Sequence, residues 1–214
     1  MKVLVGCEES QAVCLAFREA GHEAFSCDLK PCSGGHPEWH YQMDVFKAIE
    51  LQDWDLGIFF PDCTYLTCSA EWAYKEPPHH QKLKPGTVVG AARKLARERA
   101  TQFFMDLYNC GIEKVAIENP IGVMSSYFRK PNQVIHPYNF GSDASKSTCL
   151  WLKNLPRLNT TGYIEPRIVN GKKRWDNQTD GGQNKLTPSD NRAELRSKTY
   201  LGIAKAMATQ WGIL

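Results

Sequence analysis

The stretch KVLVGCEESQAVCLAFREAGHEAFSCD, Lys2 to Asp28, reads as a strand, a polar turn, a helix and a second strand. KVLV is a short apolar run, after which Val13, Cys14, Phe17 and Ala20 recur at helical spacing. Ser10 is the expected N-cap of that helix and Gly21 its stop. The second apolar run ends on Asp28. The alternation continues outward. MDVFKAIE looks like a strand end passing into a short helix, WDLGIFF ends near Pro61, and KVAIENP is halted by Pro120. Between the last two, GAARKLARERATQFFMDLYNCG predicts a long helix. Its apolar face is Ala96, Ala100, Phe103, Phe104 and Leu107, its charged side Arg93, Lys94, Arg97, Glu98 and Arg99, and its C′ residue Gly111. Strands alternating with helices predict an α/β, Rossmann-like fold, a mostly parallel sheet with helices on both faces.

With 214 residues the chain fits one domain, or a domain with a modest insertion, and can bury a substantial core. A net charge of +3 permits a nucleic-acid partner without requiring one. MKVLVGCEES is too short an apolar run for a signal segment, and no stretch approaches the roughly 18 apolar residues of a membrane span. The reading is a soluble cytoplasmic protein without membrane contact. Eight cysteines at irregular spacing then read as reduced core residues, one of them reactive, rather than a disulfide framework. Cys68 is assigned to packing. EPPHHQKLKPG excludes regular structure. From about Arg129 the composition shifts to Asn, Gly, Lys and Arg, with a hairpin expected at Asn170-Gly171 and a closing amphipathic helix in TYLGIAKAMATQWG. The expected division is a catalytic and cofactor-binding core over 1–128, a loop-rich basic segment over 129–196 and a closing helix over 197–214 that packs on the core.

Ligands of parallel sheets bind at the carboxyl ends of the strands, near a switch in strand order. Glu8, Glu9, Asp28, Asp44, Asp62, Cys63, Glu118 and Asn119 all fall at such ends. In DLGIFFPDCTYLTCS, Asp55 to Ser69, Cys63 is open to three readings: a small hydrophobe filling a gap, half of a metal site, or a nucleophile presented at a strand end. Asp28 stands where a carboxylate accepts the ribose hydroxyls of a nucleotide-type cofactor, or caps the next turn. Glu118 closes an apolar strand, where burial should raise its pKa and suit it to proton donation, unless a nearby arginine pairs with it. Cys27, Cys32, His36 and His40 have a spacing compatible with zinc, although the stretch SGGHPEWH also reads as a loop, and no metal is assigned.

PDCTYLT beside AIENP resembles the catalytic motifs of the S-adenosyl-L-methionine (AdoMet)-dependent DNA cytosine-5 methyltransferases, which carry a Pro-Pro-Cys-Gln loop and a later Glu-Asn-Val strand end. Across nearly its full length the chain resembles more closely the small phage and prophage proteins called DNA cytosine methyltransferase-like. Their opening Cys-Glu-x-Ser turn, CDL strand end, P-x-C-T-Y-L loop, IENP and K-x-T-C-L-W-L occur here in order. The resemblance implies the Rossmann-like methyltransferase fold and transfer of a methyl group from AdoMet to cytosine in DNA. It implies a monomer in the cytoplasm of a bacterial host, encoded by a phage or prophage.

Carried over by position, the turn Gly6, Cys7, Glu8 to Ser10 would hold the methionine part of AdoMet, Asp28 its ribose and Asp44 its adenine, with Pro61 beside it. Cys63 would add as thiolate to C6 of cytosine, Glu118 would hydrogen-bond and protonate N3, and Asn119 would fix the loop geometry. The base must first be flipped from the duplex. Thr64 and Lys146 would lie near it, while Arg129, Lys130, Lys172, Lys173 and Arg174 could contact phosphates and Trp175 stack on a displaced base, or the last four could form a solvated hairpin. The chain departs from the larger enzymes at Cys7, Glu8 and Glu9, where small residues are expected, at Asp62 for proline, Thr64 for glutamine and Pro120 for valine. Asp62 would raise the pKa of Cys63 unless a cation offsets it. Only about forty residues separate WLKNLP from the final helix, too few for a full target-recognition domain, so specificity would be low or supplied by a partner. The rival readings are an amino methyltransferase, a nucleotide or RNA methyltransferase, and a catalytically inactive protein that binds DNA or AdoMet.

Overall fold

The computed structural model describes every residue except 81, 188, 190 and 191. Five strands come first in the chain: β1 (Lys2–Gly6), β2 (Glu23–Asp28), β3 (His40–Gln42), β4 (Leu56–Phe59) and β5 (Lys114–Pro120). They are interleaved with α1 (Ala12–Glu19), α2 (Val45–Ile49) and α3 (Gly90–Tyr108). Then follow α4 (Met124–Tyr127), β6 (Gln133–Ile135), β7 (Thr148–Lys153), the hairpin β8 (Arg167–Val169) and β9 (Lys172–Arg174), α5 (Arg192–Ser197) and α6 (Leu201–Trp211).

Seven strands form one sheet in the order β3-β2-β1-β4-β5-β7-β6. All pairs among the first five are parallel, while β7 runs antiparallel to both β5 and β6. This is the α/β Rossmann-like fold expected above, a mostly parallel sheet with helices on both faces. The order reverses between β1 and β4, so the ligand crevice of such a sheet opens there. Registry places Cys27, Gly6, Phe59 and Ile117 in one row across four strands. The residues just beyond that row therefore emerge on one edge of the sheet. β6 and β7 both come from the segment after residue 128, so the sheet itself extends into the part of the chain read as loop-rich.

Strand side chains alternate between two cores, as the two-residue period of a strand requires. Val3, Val5, Leu56, Ile58, Ala116, Leu150 and Leu152 face α1 and α6. Leu4, Phe59, Val115, Ile117, Cys149 and Trp151 face α2 and α3. Gly6 permits a close approach at the crevice, since a Cβ there would lie 2.6 Å from the Phe59 ring.

Three local readings are corrected. Ser10 does not cap α1: the capping position is Gln11 in a left-handed conformation, and the Glu8 carboxylate accepts from the Val13 and Cys14 N–H groups instead. Arg93 is buried in the α3 interface with its guanidinium 4.8 Å from the Tyr74 ring and 5.2 Å from the Tyr65 ring, because aromatic faces offset its desolvation. Cys68 is exposed and packs no core.

Candidate functional site

β4 is buried throughout, and its line continues through Phe60, whose N–H donates to the Gly6 carbonyl at 3.0 Å. Pro61 has no N–H to extend the ladder, and the chain turns away into Asp62-Cys63-Thr64. Asp62 stabilises that turn: its Oδ1 accepts from the Thr64 N–H at 2.9 Å and the Thr64 hydroxyl at 2.7 Å. The Cys63 carbonyl then accepts from Leu66 and Thr67 at 3.0 and 3.1 Å. Asn119, 1% exposed at the end of β5, donates from Nδ2 to the Pro61 carbonyl at 2.9 Å, tying the two strand ends together.

The far side of this loop is held as firmly. The Leu66 carbonyl accepts from Val123 N–H at 2.8 Å, and Thr67 bridges to Gly122. A side chain at Gly122 would run into the Leu66 carbonyl, so the approach requires glycine. Arg97 reaches from α3 to the Tyr65 carbonyl at 2.9 Å, pairs with Glu71 at 2.6 Å and lies 3.6 Å from the Tyr74 ring. Arg97 escaped the sequence reading because it sits among the charges of an amphipathic helix, and only the loop's return onto α3 distinguishes it.

Glu118 precedes Asn119 on β5. It lines a small cavity of about 10 Å³ with Phe60, Lys146, Thr148, Tyr200 and Ile203, large enough for one water. Burial pushes its carboxyl pKa up, against the pull of Lys146 and a hydrogen bond with Thr148. The Cys63 thiol is also pushed up, first by burial and then by Asp62 and Glu118, with Lys146 acting the other way. At rest it is therefore a thiol. Thr148 entered the sequence reading only as part of the K-x-T-C-L-W-L motif and Tyr200 only as part of the closing helix, since nothing in their local pattern points toward Glu118.

The residues assigned to AdoMet lie at or just beyond the carboxyl ends of four strands: Gly6, Cys7, Glu8 and Ser10 at β1, Asp28 at β2, Asp44 after β3 and Pro61 after β4. Asp28 Oδ1 accepts from Lys30 N–H at 2.9 Å, and the half-buried carboxylate at a strand end fits a ribose. Asp44 is the N-cap of α2, with Oδ1 2.9 Å from the Phe46 N–H. The amino-acid end differs from expectation. Cys7 takes a left-handed φ of 59°, and burial drives its thiol pKa far up. The first amides of α1, which attract an anion, already carry the carboxylate of Glu8 at 2.7 and 3.2 Å. Ser33 bonds to Glu9, and Gln11 exchanges two hydrogen bonds with the backbone of His36 at 2.8 and 3.1 Å, so the loop after β2 lies against this turn. The turn can thus meet an ammonium with its acids, while a ligand carboxylate finds the α1 amides taken.

The residues assigned to DNA separate. Thr64 is committed to the Asp62 turn, and Lys146 Nζ donates to the Arg196 carbonyl at 3.0 Å. Arg129 is a structural residue: its guanidinium bonds Asn132, the Leu152 carbonyl and the Tyr108 hydroxyl at 2.7, 3.1 and 3.0 Å, which removes it from phosphate contact. Lys130, Lys172 and Lys173 are exposed, while Arg174 bonds the Asp180 carbonyl at 3.0 Å. Trp175 is 8% exposed and stacked on Tyr138 at 4.2 Å, so it is not free to stack on a base. In the zinc-like pattern, the two His40 ring nitrogens face the Ser26 hydroxyl and the Lys30 carbonyl, and Cys27 bonds the Met43 carbonyl. Among the described residues no three His, Cys, Asp or Glu side chains gather as a metal set.

No family model and no curated protein matches the chain. Among solved structures it is similar to the Dnmt2 methyltransferase of S. pombe, at 18% identity and a TM-score of 0.46 over 73% of this chain and 51% of that one. It is similar to a mutant of DNMT2 from Spodoptera frugiperda, at 13% identity and 0.44 over 81% and 57%. A third likeness is a DNA modification methyltransferase encoded within a prophage of E. coli, at 12% identity and 0.41 over 71% and 46%. The chain spans about half the length of each. Among the described residues no helix is long and apolar enough to cross a membrane.

Proposed function

We propose that the protein is an AdoMet-dependent DNA cytosine-5 methyltransferase in which Cys63 attacks the base and Glu118 assists. The observation that carries this reading is the joining of two strand ends: Asn119 holds the Pro61 carbonyl at 2.9 Å, which sets the Cys63 loop beside Glu118. When bound, AdoMet supplies the methyl group. The Cys63 thiolate bonds to C6 of a flipped cytosine, and the ring electrons move to C5. Glu118, with its raised pKa, gives N3 a proton or a hydrogen bond as charge builds on the ring. C5 would take the methyl group, water would accept the C5 proton, and the C6–S bond would break to return the Cys63 thiolate and the aromatic ring. Asp28 binds the cofactor ribose at the β2 end. Lys130, Lys172 and Lys173 meet the DNA backbone.

DNA containing 5-fluorocytosine tests the reading, because fluorine at C5 blocks the last proton removal. Incubation with AdoMet should leave a covalent adduct on Cys63 that is absent in Cys63→Ser. Methyl transfer that survives Cys63→Ser would assign the protein to amino methyltransfer instead. Labelled transfer to RNA or free nucleotides but not to DNA would move the substrate.

A further inference from the structure

A ligand carboxylate at the end of β1 would ordinarily be received by α1, since the first amides of a helix point outward and its dipole favours negative charge. In this chain a side chain already fills that place. Glu8, 5% exposed, accepts from the Val13 N–H at 2.7 Å through one carboxylate oxygen and from the Cys14 N–H at 3.2 Å through the other. A second carboxylate brought to the same amides would have to displace this buried acid or lie against it unpaired. The flank of the turn is committed as well. Gln11 is fully buried and spends both ends of its carboxamide on His36, Nε2 donating to the carbonyl at 2.8 Å and Oε1 accepting from the N–H at 3.1 Å. The Ser33 N–H donates to the Glu9 carbonyl at 2.8 Å, and a Cβ at Gly34 would lie 2.7 Å from the Ser10 carbonyl, so residues 33–36 close directly on Ser10 and Gln11. An ammonium meets the opposite situation. The half-buried Glu9 carboxylate takes the Ser33 hydroxyl and has lone pairs for a further donor, while Asp28 and Asp44 stand at or just after the next two strand ends.

We infer that this turn reads the sulfonium and ammonium of AdoMet but not its carboxylate, with Glu8 as the residue that excludes it, so that decarboxylated AdoMet is accepted as readily as AdoMet. The inference rests on the AdoMet reading above and adds which part of the cofactor the chain recognises. Without its carboxyl group the cofactor gains one net positive charge and gives up no hydrogen bond to the Val13 and Cys14 amides, which Glu8 already holds. Its nucleoside, its sulfonium and the methyl group to be transferred are unchanged.

Isothermal titration calorimetry of the full chain at about pH 8, with AdoMet and with decarboxylated AdoMet, tests this without any turnover. At that pH Glu8, whose pKa is pushed up to about 7, is ionised. The decarboxylated compound should bind within about threefold of AdoMet, or more tightly. A carboxylate held by two helix amides would instead cost about tenfold or more on its removal, and a preference for AdoMet beyond about threefold overturns the inference. Glu8→Ala, with a thermal melt as the folding control, frees the two amides and should move the ratio of affinities at least about fivefold toward AdoMet. An unchanged ratio in the folded variant overturns the part given to Glu8. The parent comparison needs no variant, so it decides the inference even where Glu8→Ala fails to fold. A strong preference for AdoMet leaves the methyltransferase reading standing, whereas failure of both compounds to bind overturns that reading and the inference together.

Discussion

A carboxylate buried beneath a helix must find its stabilisation locally, and Glu8 finds it in two amides. It is 5% exposed and its pKa is pushed up to about 7, by burial and by Glu9, against the Val13 and Cys14 hydrogen bonds. Relative to the ordinary 4.5, the folded state binds this proton more tightly, so stability is greatest at low pH and falls as pH rises from about 4.5 to 7. The full penalty is roughly 3 kcal/mol at neutral pH, taking about 1.4 kcal/mol for each pKa unit. Glu8→Gln keeps one acceptor for the helix amides and removes the titration. The difference between parent and variant stability, from urea melts across that range, should change by a few kcal/mol in the variant's favour as pH rises. A flat difference curve would show that Glu8 is ionised at no such penalty. Sequence spacing pointed to Ser10 as the cap because short hydroxyl side chains dominate that position. A glutamate reaching forward from the preceding turn leaves no comparable local signal, and neither does Arg93, whose aromatic partners Tyr65 and Tyr74 come from a distant loop.

Among the elements, α3 does two jobs. Phe104 and Leu107 bury into the sheet, as its apolar spacing predicts, while Arg93 and Arg97 hold the loop that begins at Cys63. The Arg97 side chain, 11% exposed, satisfies the Tyr65 carbonyl, the Glu71 carboxylate and the Tyr74 ring from one planar fork. Arg97→Ala leaves a carbonyl and an acid without that partner, at a cost of about 1–3 kcal/mol. The effect should be local: limited proteolysis should cut between Leu66 and Val88 faster, while amide exchange in β1 and β4 stays protected. Arg97→Lys should rescue only part of it, since an ammonium has no fork. Equal loss of protection in the central strands would show that the loop and sheet unfold together. The strands and helices up to β5 were legible from apolar periodicity, and the site acids from their places at strand ends, whereas β6 and β7 lie in the stretch read as loop-rich. What ties them together, Asn119 to Pro61 and Gly122 to Leu66, depends on contacts across dozens of residues of sequence; the resemblance implied a role for Asn119 in the loop, and the Gly122 approach left no signal.

For the molecule as a whole, a net charge of +3 over 214 residues makes a weak general field, so under the proposed function attraction to DNA would have to come from where the cations sit. The hairpin carries two of them outward. Asn170 and Gly171 have φ of 50° and 73°, the two left-handed positions that let β8 return directly as β9. Lys172 and Lys173 on β9 are exposed, while Arg174 and Trp175 turn back to hold the hairpin to the body of the protein. Of the basic run GKKR, only the two lysines are therefore free to meet phosphate, and Arg129 is excluded by its own hydrogen bonds. Each phosphate contact releases counterions and contributes about 0.9 to the slope of log affinity against log salt. Lys172→Ala with Lys173→Ala should thus weaken DNA binding by a similar factor on every sequence and flatten that slope by up to about 2, measured by fluorescence anisotropy across a salt series. The fold should be untouched, because both side chains stand in solvent. Arg129→Ala should do the reverse, lowering the melting temperature while leaving the salt slope of the folded protein unchanged. A salt slope unaltered by loss of the two lysines would mean that DNA, if it binds, reaches the Cys63 edge without passing over the hairpin.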